Sequence, residues 1–430
     1  MQLLTSLKSY YSGVLVNHSW KLNKSKVFCM APWIQLHAQT NGKVAPCCMS
    51  AMNLGNELGD LKDDPNLGNV WNSDAMKQLR KNMLCGKKSS ICKNCYDYEK
   101  MGKFSERMQY NKDHKSYYSR VKATLPDGSL TELSVPLIDI RFSNKCNYKC
   151  RICDSEYSTQ WYEEQIKLGK PLKSGIVISK EMKVADNKIE FWNSYTRLLS
   201  GVKRLHFAGG EPLFMDEHYK ALEHLIAIGR TDVTLSYNTN FSILRYKQHN
   251  LIDLWNKFTK VDVWASLDGM GEQGDYQRKG QNWKKIEENI RLVQKECTTV
   301  LFGVNVTVSI FNILHVPAFY RYMVENKFVQ PGRMNLYLLF EPSYMNITNL
   351  PLPIKQKAIA QFEELDKNYL SNLTDASKIR NHIKAVITYM MSSQGNEQKE
   401  FQHWVSAIDA LREENFGSVF PELKELMAIS

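Results

Sequence analysis

Three cysteines, Cys146, Cys150 and Cys153, fall within eight residues in the stretch FSNKCNYKCRICD (142–154), and the next cysteine is Cys297. Their number limits the chemistry. A structural zinc site is closed by four protein ligands, whereas a site with an open position is a reactive one. On a [4Fe-4S] cluster, three cysteines leave one iron free for an exogenous ligand. The competing structural reading is a zinc knuckle that draws a fourth ligand from elsewhere in the chain.

Six further cysteines lie between residues 29 and 95. CMAPWIQLHAQTNGKVAPCC (29–48) joins Cys29 to Cys47, and CGKKSSICKNC carries Cys85, Cys92 and Cys95. Two distant sulfur pairs, one of them a C-x-x-C, make a complete four-thiolate set. Such a set could hold zinc or an iron–sulfur cluster, and thiolate ligation alone does not decide between them. If the three-cysteine loop carries a redox-active cluster, iron is the better reading here too.

The elements that position these cysteines can be read from periodicity. Short apolar or alternating runs at 136–142, 203–208, 232–238, 261–267, 300–308 and 334–340 predict six strands. Between them, Leu222, Leu225 and Ile226 share a helical face, with Asp216 expected as its N-cap. Leu251, Leu254, Trp255 and Phe258 mark a second helix, and Trp283, Ile286, Ile290 and Val293 a third. Strands alternating with helices imply βαβ units and a parallel sheet. The fold class expected is α/β, a partial (β/α)6 TIM-like barrel with chemistry at the C-terminal ends of its strands. The three-cysteine loop directly follows the first of these strands. The polar stretch 111–134, with its Pro126-Asp127-Gly128 turn, reads as a linker, and residues 346–430 as a helical C-terminal extension. Cys297, at a helix end, is expected in the core.

Hydrophobic content of 43% in 430 residues is enough for a sizeable core. No apolar run reaches the length of a membrane span, and the N-terminus shows no signal-peptide pattern, so a cytoplasmic protein is expected. Metal binding is then the better default than disulfides for ten cysteines. A net charge of +11 admits an anionic substrate, an acidic peptide or a nucleic acid. The charge is dispersed, so no dedicated nucleic-acid arm is evident.

The loop resembles the CxxxCxxC signature of the radical S-adenosylmethionine superfamily, matched by Cys146, Cys150 and Cys153. Three further motifs occur in the family's order. FAGGEP (207–212) resembles its GGEP motif, with Gly209, Gly210 and Glu211, and the glycines allow close backbone approach to a ligand. SLDG (266–269) ends the fourth strand and places Ser266 and Asp268 for ribose hydroxyls. Arg278 follows at the place of a basic residue that holds the methionine carboxylate, while Glu211 would pair with the methionine ammonium. Asn238 and Asn240 are softer candidates, for which a turn-forming role is the simpler reading. Ile152 stands where the family usually has an aromatic residue.

The N-terminal cysteine region resembles a twitch domain, a shortened SPASM auxiliary-cluster domain, in its Cys-x12-Gly-x4-Cys element and terminal C-x-x-C. That resemblance assigns Cys29, Cys47, Cys92 and Cys95 as ligands of a second [4Fe-4S] cluster. Cys48 and Cys85 are then spare, and buried or adjoining positions are expected for both. The implied domains are 1–110 (auxiliary cluster), 111–134 (linker), 135–345 (radical core) and 346–430 (extension). In most relatives the auxiliary module follows the barrel; here it precedes it.

The implied activity is reductive cleavage of S-adenosylmethionine to a 5′-deoxyadenosyl radical that abstracts a substrate hydrogen. The auxiliary cluster would support oxidation or peptide modification. The implied substrate is a small molecule or peptide, the implied partner an electron donor such as flavodoxin or ferredoxin. The competing class is a zinc-ribbon protein that binds nucleic acid without catalysis, in which the (β/α) body has no role.

Overall fold

The structure, a computed structural model, describes residues 22, 24–51, 55, 57–100, 104–169, 180–186 and 188–428. The N-terminal stretch read for a signal peptide lies outside them. Among the described residues, no helix is long and apolar enough to cross a membrane. The chain divides into two compact units: residues 1–143, 182–209 and 215–235, and residues 144–181, 210–214 and 236–430.

In the first unit the strands are β1 (Gln35–Ala38), β2 (Lys43–Ala45), β3 (Gly59–Asp60), β4 (Leu137–Ile140) and β5 (Arg204–Phe207). They are hydrogen-bonded in the order β5-β4-β1-β2-β3. β4 is parallel to both β5 and β1, whereas β1–β2 and β2–β3 are antiparallel. β4 and β5 are the first two strands expected from sequence; β1 to β3 were not expected. The unit's longer helices are α1 (Asp74–Leu84), α2 (Lys93–Lys100), α3 (Glu106–Asp113), α4 (Lys188–Leu199) and α5 (Asp216–Ala227). α4 buries Phe191, Trp192, Tyr195, Leu198 and Leu199. At 3.6 residues per turn these positions share one face, and the Phe191 and Tyr195 rings stack at 5.7 Å.

Two expectations are corrected here. Asp216 is not the N-cap of α5 but its first residue; Met215 occupies the cap without a side-chain hydrogen bond. The carboxylate instead adds charge to the first turn, where it complements the helix dipole. The stretch read as a linker begins within α3 and includes a helix at Tyr118–Lys122. Asn111 accepts from the Met30 amide at 2.9 Å, and Trp33 Nε1 donates to Thr124 at 2.8 Å. Its polar side chains satisfy buried groups of the cysteine-rich region, which composition alone does not reveal.

The second unit carries β6 (Thr234–Thr239, from residue 236 onward), β7 (Val261–Ser266), β8 (Val300–Val308) and β9 (Met334–Leu338). Their order is β9-β8-β7-β6, with β7–β8 and β8–β9 parallel. Together with β4 and β5 these are the six strands expected. β8 alternates: Val304, Val306 and Val308 are fully buried, whereas Asn305 and Thr307 between them are partly exposed. Its longer helices are α6 (Gly271–Gln277), α7 (Trp283–Glu296), α8 (Val316–Glu325), α9 (Leu352–Asn368), α10 (Ser377–Met390) and α11 (Gln398–Arg412). α7 is capped by Asn282, which accepts from the Lys285 amide at 3.0 Å. It ends at the buried Cys297, as expected. Residues 346–428 form helices and turns without a strand, also as expected.

Candidate iron–sulfur and cofactor sites

The three-cysteine loop belongs to the second unit. Lys149–Cys150 pairs antiparallel with Arg278–Lys279, placing Arg278 opposite Cys150. Cys146, Tyr148 and Cys150 are buried, and Ile152 and Cys153 pack against them. Backbone bonds fix the turn: the Cys153 amide donates to the Cys150 carbonyl at 3.0 Å, and Trp161 Nε1 donates to the same carbonyl at 2.8 Å.

Burial pushes the Cys146 thiol up to about 12, with Cys150 and Glu211 adding to the rise. A hydrogen bond with Cys153 and the nearby Arg278 hold Cys150 below its usual range, and Cys153 rises in response. Arg278 Nη1 lies 3.7 Å from Cys150 Sγ. Buried thiols are costly to ionise without a compensating positive charge, which a cluster of iron ions supplies.

Around the loop the sequence-derived residues assemble within the same unit. Glu211 is buried; burial raises its carboxyl to about 7 against hydrogen bonds from Thr239, Asn240 and Leu213. Thr239 Oγ1 and the Leu213 amide donate to Oε1 at 2.6 and 3.0 Å, and the Asn240 amide donates to Oε2 at 2.6 Å. Arg278 Nη2 pairs with Asp268 Oδ2 at 2.9 Å, and Asp268 Oδ1 accepts from the Thr307 amide at 2.8 Å. Burial raises the Asp268 carboxyl while Arg278 pulls it down; burial alone would lower Arg278, but Asp268 and Cys150 carry it upward. The buried Arg278 Nε has no partner among the described residues. A donor set of three thiols, an acid held by three donors and an unpaired guanidinium nitrogen fits a cluster with one open iron and an amino-acid ligand.

Three details add to the sequence reading. The Gly209-Gly210 pair brings backbone against backbone. A Cβ on Gly210 would sit 2.2 Å from the Lys145 carbonyl, and one on Gly209 3.0 Å from that of Ser143. The Glu211 amide donates to the Lys145 carbonyl at 2.8 Å. Asp268 is committed to Arg278 and Thr307, whereas Ser266, at the end of β7, is partly exposed. Asn240 does form a turn, accepting from the Ser242 amide at 3.0 Å, and also donates to Asn147 of the cysteine loop at 2.8 Å. Asn238 accepts from Asn305 at 3.2 Å.

In the first unit Cys29, Cys47, Cys92 and Cys95 line one pocket with Glu106, Arg107 and Tyr110. Cys29 precedes the helix Ala31–Ile34, Cys47 follows β2, Cys92 ends a 3-10 turn and Cys95 lies in α2. Burial, then repulsion from Cys47 and Cys92, raises Cys29 well above its usual range; burial pushes Cys47 and Cys92 to about 12. Arg107 braces the wall: it donates to the Phe28 carbonyl at 2.6 Å and pairs with Glu99 at 2.7 Å. Cys48 and Cys85 do not line the pocket. Cys85 is exposed rather than buried, because it caps α1 and is followed by Gly86 at φ 70° in the turn that leaves the helix. Among the described residues, no three His, Cys, Asp or Glu side chains are arranged to hold a single metal ion.

Sequence reasoning missed two polar features. Within the first unit His37, Asp139 and His206 lie in register on β1, β4 and β5. His37 Nδ1 meets Asp139 Oδ2 at 2.7 Å, and both residues are buried. The available signal was the Asp inside the otherwise apolar run LIDI. The other feature is Arg151, whose side chain is 0% exposed.

Comparison with known proteins bears on the cysteine-rich region of the first unit. Residues 29–96 match the SPASM family, an iron–sulfur cluster-binding domain. Among solved structures, native anSMEcpe with bound AdoMet and Cp18Cys peptide is similar at 19% identity and a TM-score of 0.37. That match covers 55% of this chain and 61% of that one, so the chain spans about three fifths of that relative's length. Streptococcus suis SuiB bound to S-adenosylmethionine is similar at 13% identity and a TM-score of 0.36, covering 78% of this chain and 70% of that one. TYW1 with a lysine-pyruvate adduct is similar at 11% identity and a TM-score of 0.30, covering 54% and 71%. Residues 29–96 are therefore similar to the SPASM iron–sulfur cluster-binding domain.

Proposed function

We propose that the chain is a radical S-adenosylmethionine enzyme with a catalytic [4Fe-4S] cluster on Cys146, Cys150 and Cys153 and an auxiliary [4Fe-4S] cluster on Cys29, Cys47, Cys92 and Cys95. When bound, the catalytic cluster and S-adenosylmethionine supply a 5′-deoxyadenosyl radical for hydrogen abstraction. The protein's residues bind and orient. Glu211, held by three donors, receives the methionine ammonium, and Arg278 receives its carboxylate on the face that carries the unpaired Nε. Asp268 orients Arg278 through the 2.9 Å pair, leaving Ser266 as the freer partner for a ribose hydroxyl. Gly209 and Gly210 set Glu211 against the loop backbone.

The observation that carries this reading is the convergence of three thiols, two of them buried, with Arg278 and Glu211 in one unit, and four thiols gathered separately in the other. The substrate class is a small molecule or a peptide, the reaction an oxidation or a peptide modification, and an electron carrier such as flavodoxin or ferredoxin the donor. Placement in the cytoplasm belongs to the same reading. The zinc-ribbon alternative needs sulfurs about 2.3 Å from a single ion. The Glu211 and Arg278 arrangements have no part in it. Anaerobic reconstitution tests the proposal: about eight iron atoms per chain are expected for two cubanes, against a colourless zinc protein on the alternative.

A further inference from the structure

Arg151 stands between Cys150 and Ile152, and its side chain is completely buried. Its Nη2 meets Asp409 Oδ1 at 2.5 Å and Glu414 Oε2 at 2.6 Å, across more than 250 residues of sequence. Nε donates to the Tyr276 carbonyl at 3.1 Å, and the guanidinium lies 3.6 Å over the Tyr276 ring. The Tyr276 hydroxyl donates to the same Asp409 oxygen at 2.8 Å. The end of α11 is shaped to present these acids. Glu413 adopts a left-handed conformation at φ 56°, the chain turns back, and Asp409 Oδ2 accepts from the Phe416 amide at 2.7 Å.

The residue on the other side of Cys150 is tied as well. Lys149 pairs with Glu164, which also accepts from Arg412 Nη2 at 2.7 Å. Lys279, on the strand paired with the loop, reaches Glu414 at 2.8 Å. Both neighbours of Cys150 therefore end on acids that also engage α11 or the turn after it.

We propose that the C-terminal extension is a brace for the three-cysteine loop, and that Arg151 is the positioning residue through which Asp409 and Glu414 fix the geometry of Cys150 and Cys153. A rigid scaffold on neighbouring residues is what holds ligands at productive geometry, and a buried guanidinium with two carboxylates has few alternative arrangements. The inference rests on the proposed role of the loop as the cluster site, but its first test needs no cluster.

Hydrogen exchange is measured on the full-length apo chain, wild type against Asp409→Asn/Glu414→Gln, with Glu414→Gln alone as the milder variant. The Arg151 and Cys153 amides, bonded to the Gln277 and Cys150 carbonyls, are expected to exchange at least about tenfold faster, because local opening sets their protection. Exchange across residues 29–96 is expected to stay unchanged. In reconstituted protein, chelator is then expected to remove iron faster from the three-cysteine site than from the auxiliary site. Unchanged loop exchange in both variants overturns the proposal, as does an equal rise across the whole chain, which marks the pair as merely structural. A loop that loosens in a chain that never loads iron keeps the brace and refutes the cluster reading instead.

Discussion

Glu211 gives the account a quantitative test through pH. Its carboxyl sits at about 7 instead of 4.5, chiefly because it is buried. A methionine ammonium binds the ionised form, so the observed affinity scales with the ionised fraction. With a value near 7, that fraction is about one eleventh at pH 6 and about ten elevenths at pH 8. S-Adenosylmethionine should therefore bind about tenfold tighter at pH 8 than at pH 6, or about 1.4 kcal/mol. Anaerobic calorimetry on reconstituted protein measures this and the accompanying proton release. Glu211→Gln preserves the shape but offers the Asn240 amide an NH2 group, so it should bind weakly and without the pH slope. Stability of the apo protein should run the opposite way. Between pH 4.5 and 7 the folded chain holds a proton that the unfolded chain has released. Raising the pH through that window then costs up to about 3 kcal/mol. A wild-type affinity that is flat from pH 6 to 8 and equal to that of Glu211→Gln would refute the assignment of Glu211 to the ammonium.

Removing either member of the Arg278–Asp268 pair leaves a buried charge. Arg278→Ala should therefore lower stability by about 3–5 kcal/mol in addition to weakening cofactor binding, and chemical denaturation checks this. Asp268→Asn should keep more stability than Arg278→Ala and lose affinity through a misaligned guanidinium, as calorimetry would show. Cys92→Ala with Cys95→Ala should halve the iron and keep slow, substrate-independent cofactor cleavage while abolishing product. Circular dichroism guards against metal-dependent unfolding of the small domain. Cys85→Ser, at an exposed site outside the thiol pocket, should leave the iron content unchanged.

The parts that sequence made legible are those where one local pattern has one structural solution. The run VLFGVNVTV alternates over its second half, and it forms β8 with Val304, Val306 and Val308 inside. The spacing of Trp283, Ile286, Ile290 and Val293 forms α7. β1 escaped notice because Gln35-Leu36-His37-Ala38 has no β-branched residue and mixes polar with apolar side chains, yet all four are buried. Pairing across long separations was equally invisible. Nothing near Arg151 points to Asp409, and nothing near Asp268 shows that both its oxygens are already engaged. Buried charges in apolar surroundings are the signal that such partners must exist, but not where they are.

The central claim is that Cys146, Cys150 and Cys153 hold a cluster with one iron open to S-adenosylmethionine. The most direct measurement is 5′-deoxyadenosine formed under anaerobic reduction by wild type and by the variant with all three cysteines changed to Ala. Turnover is expected from the wild type and none from the variant, whose remaining iron, about half, would be held by four protein thiolates with no open position. A folded triple variant that still releases 5′-deoxyadenosine would contradict it.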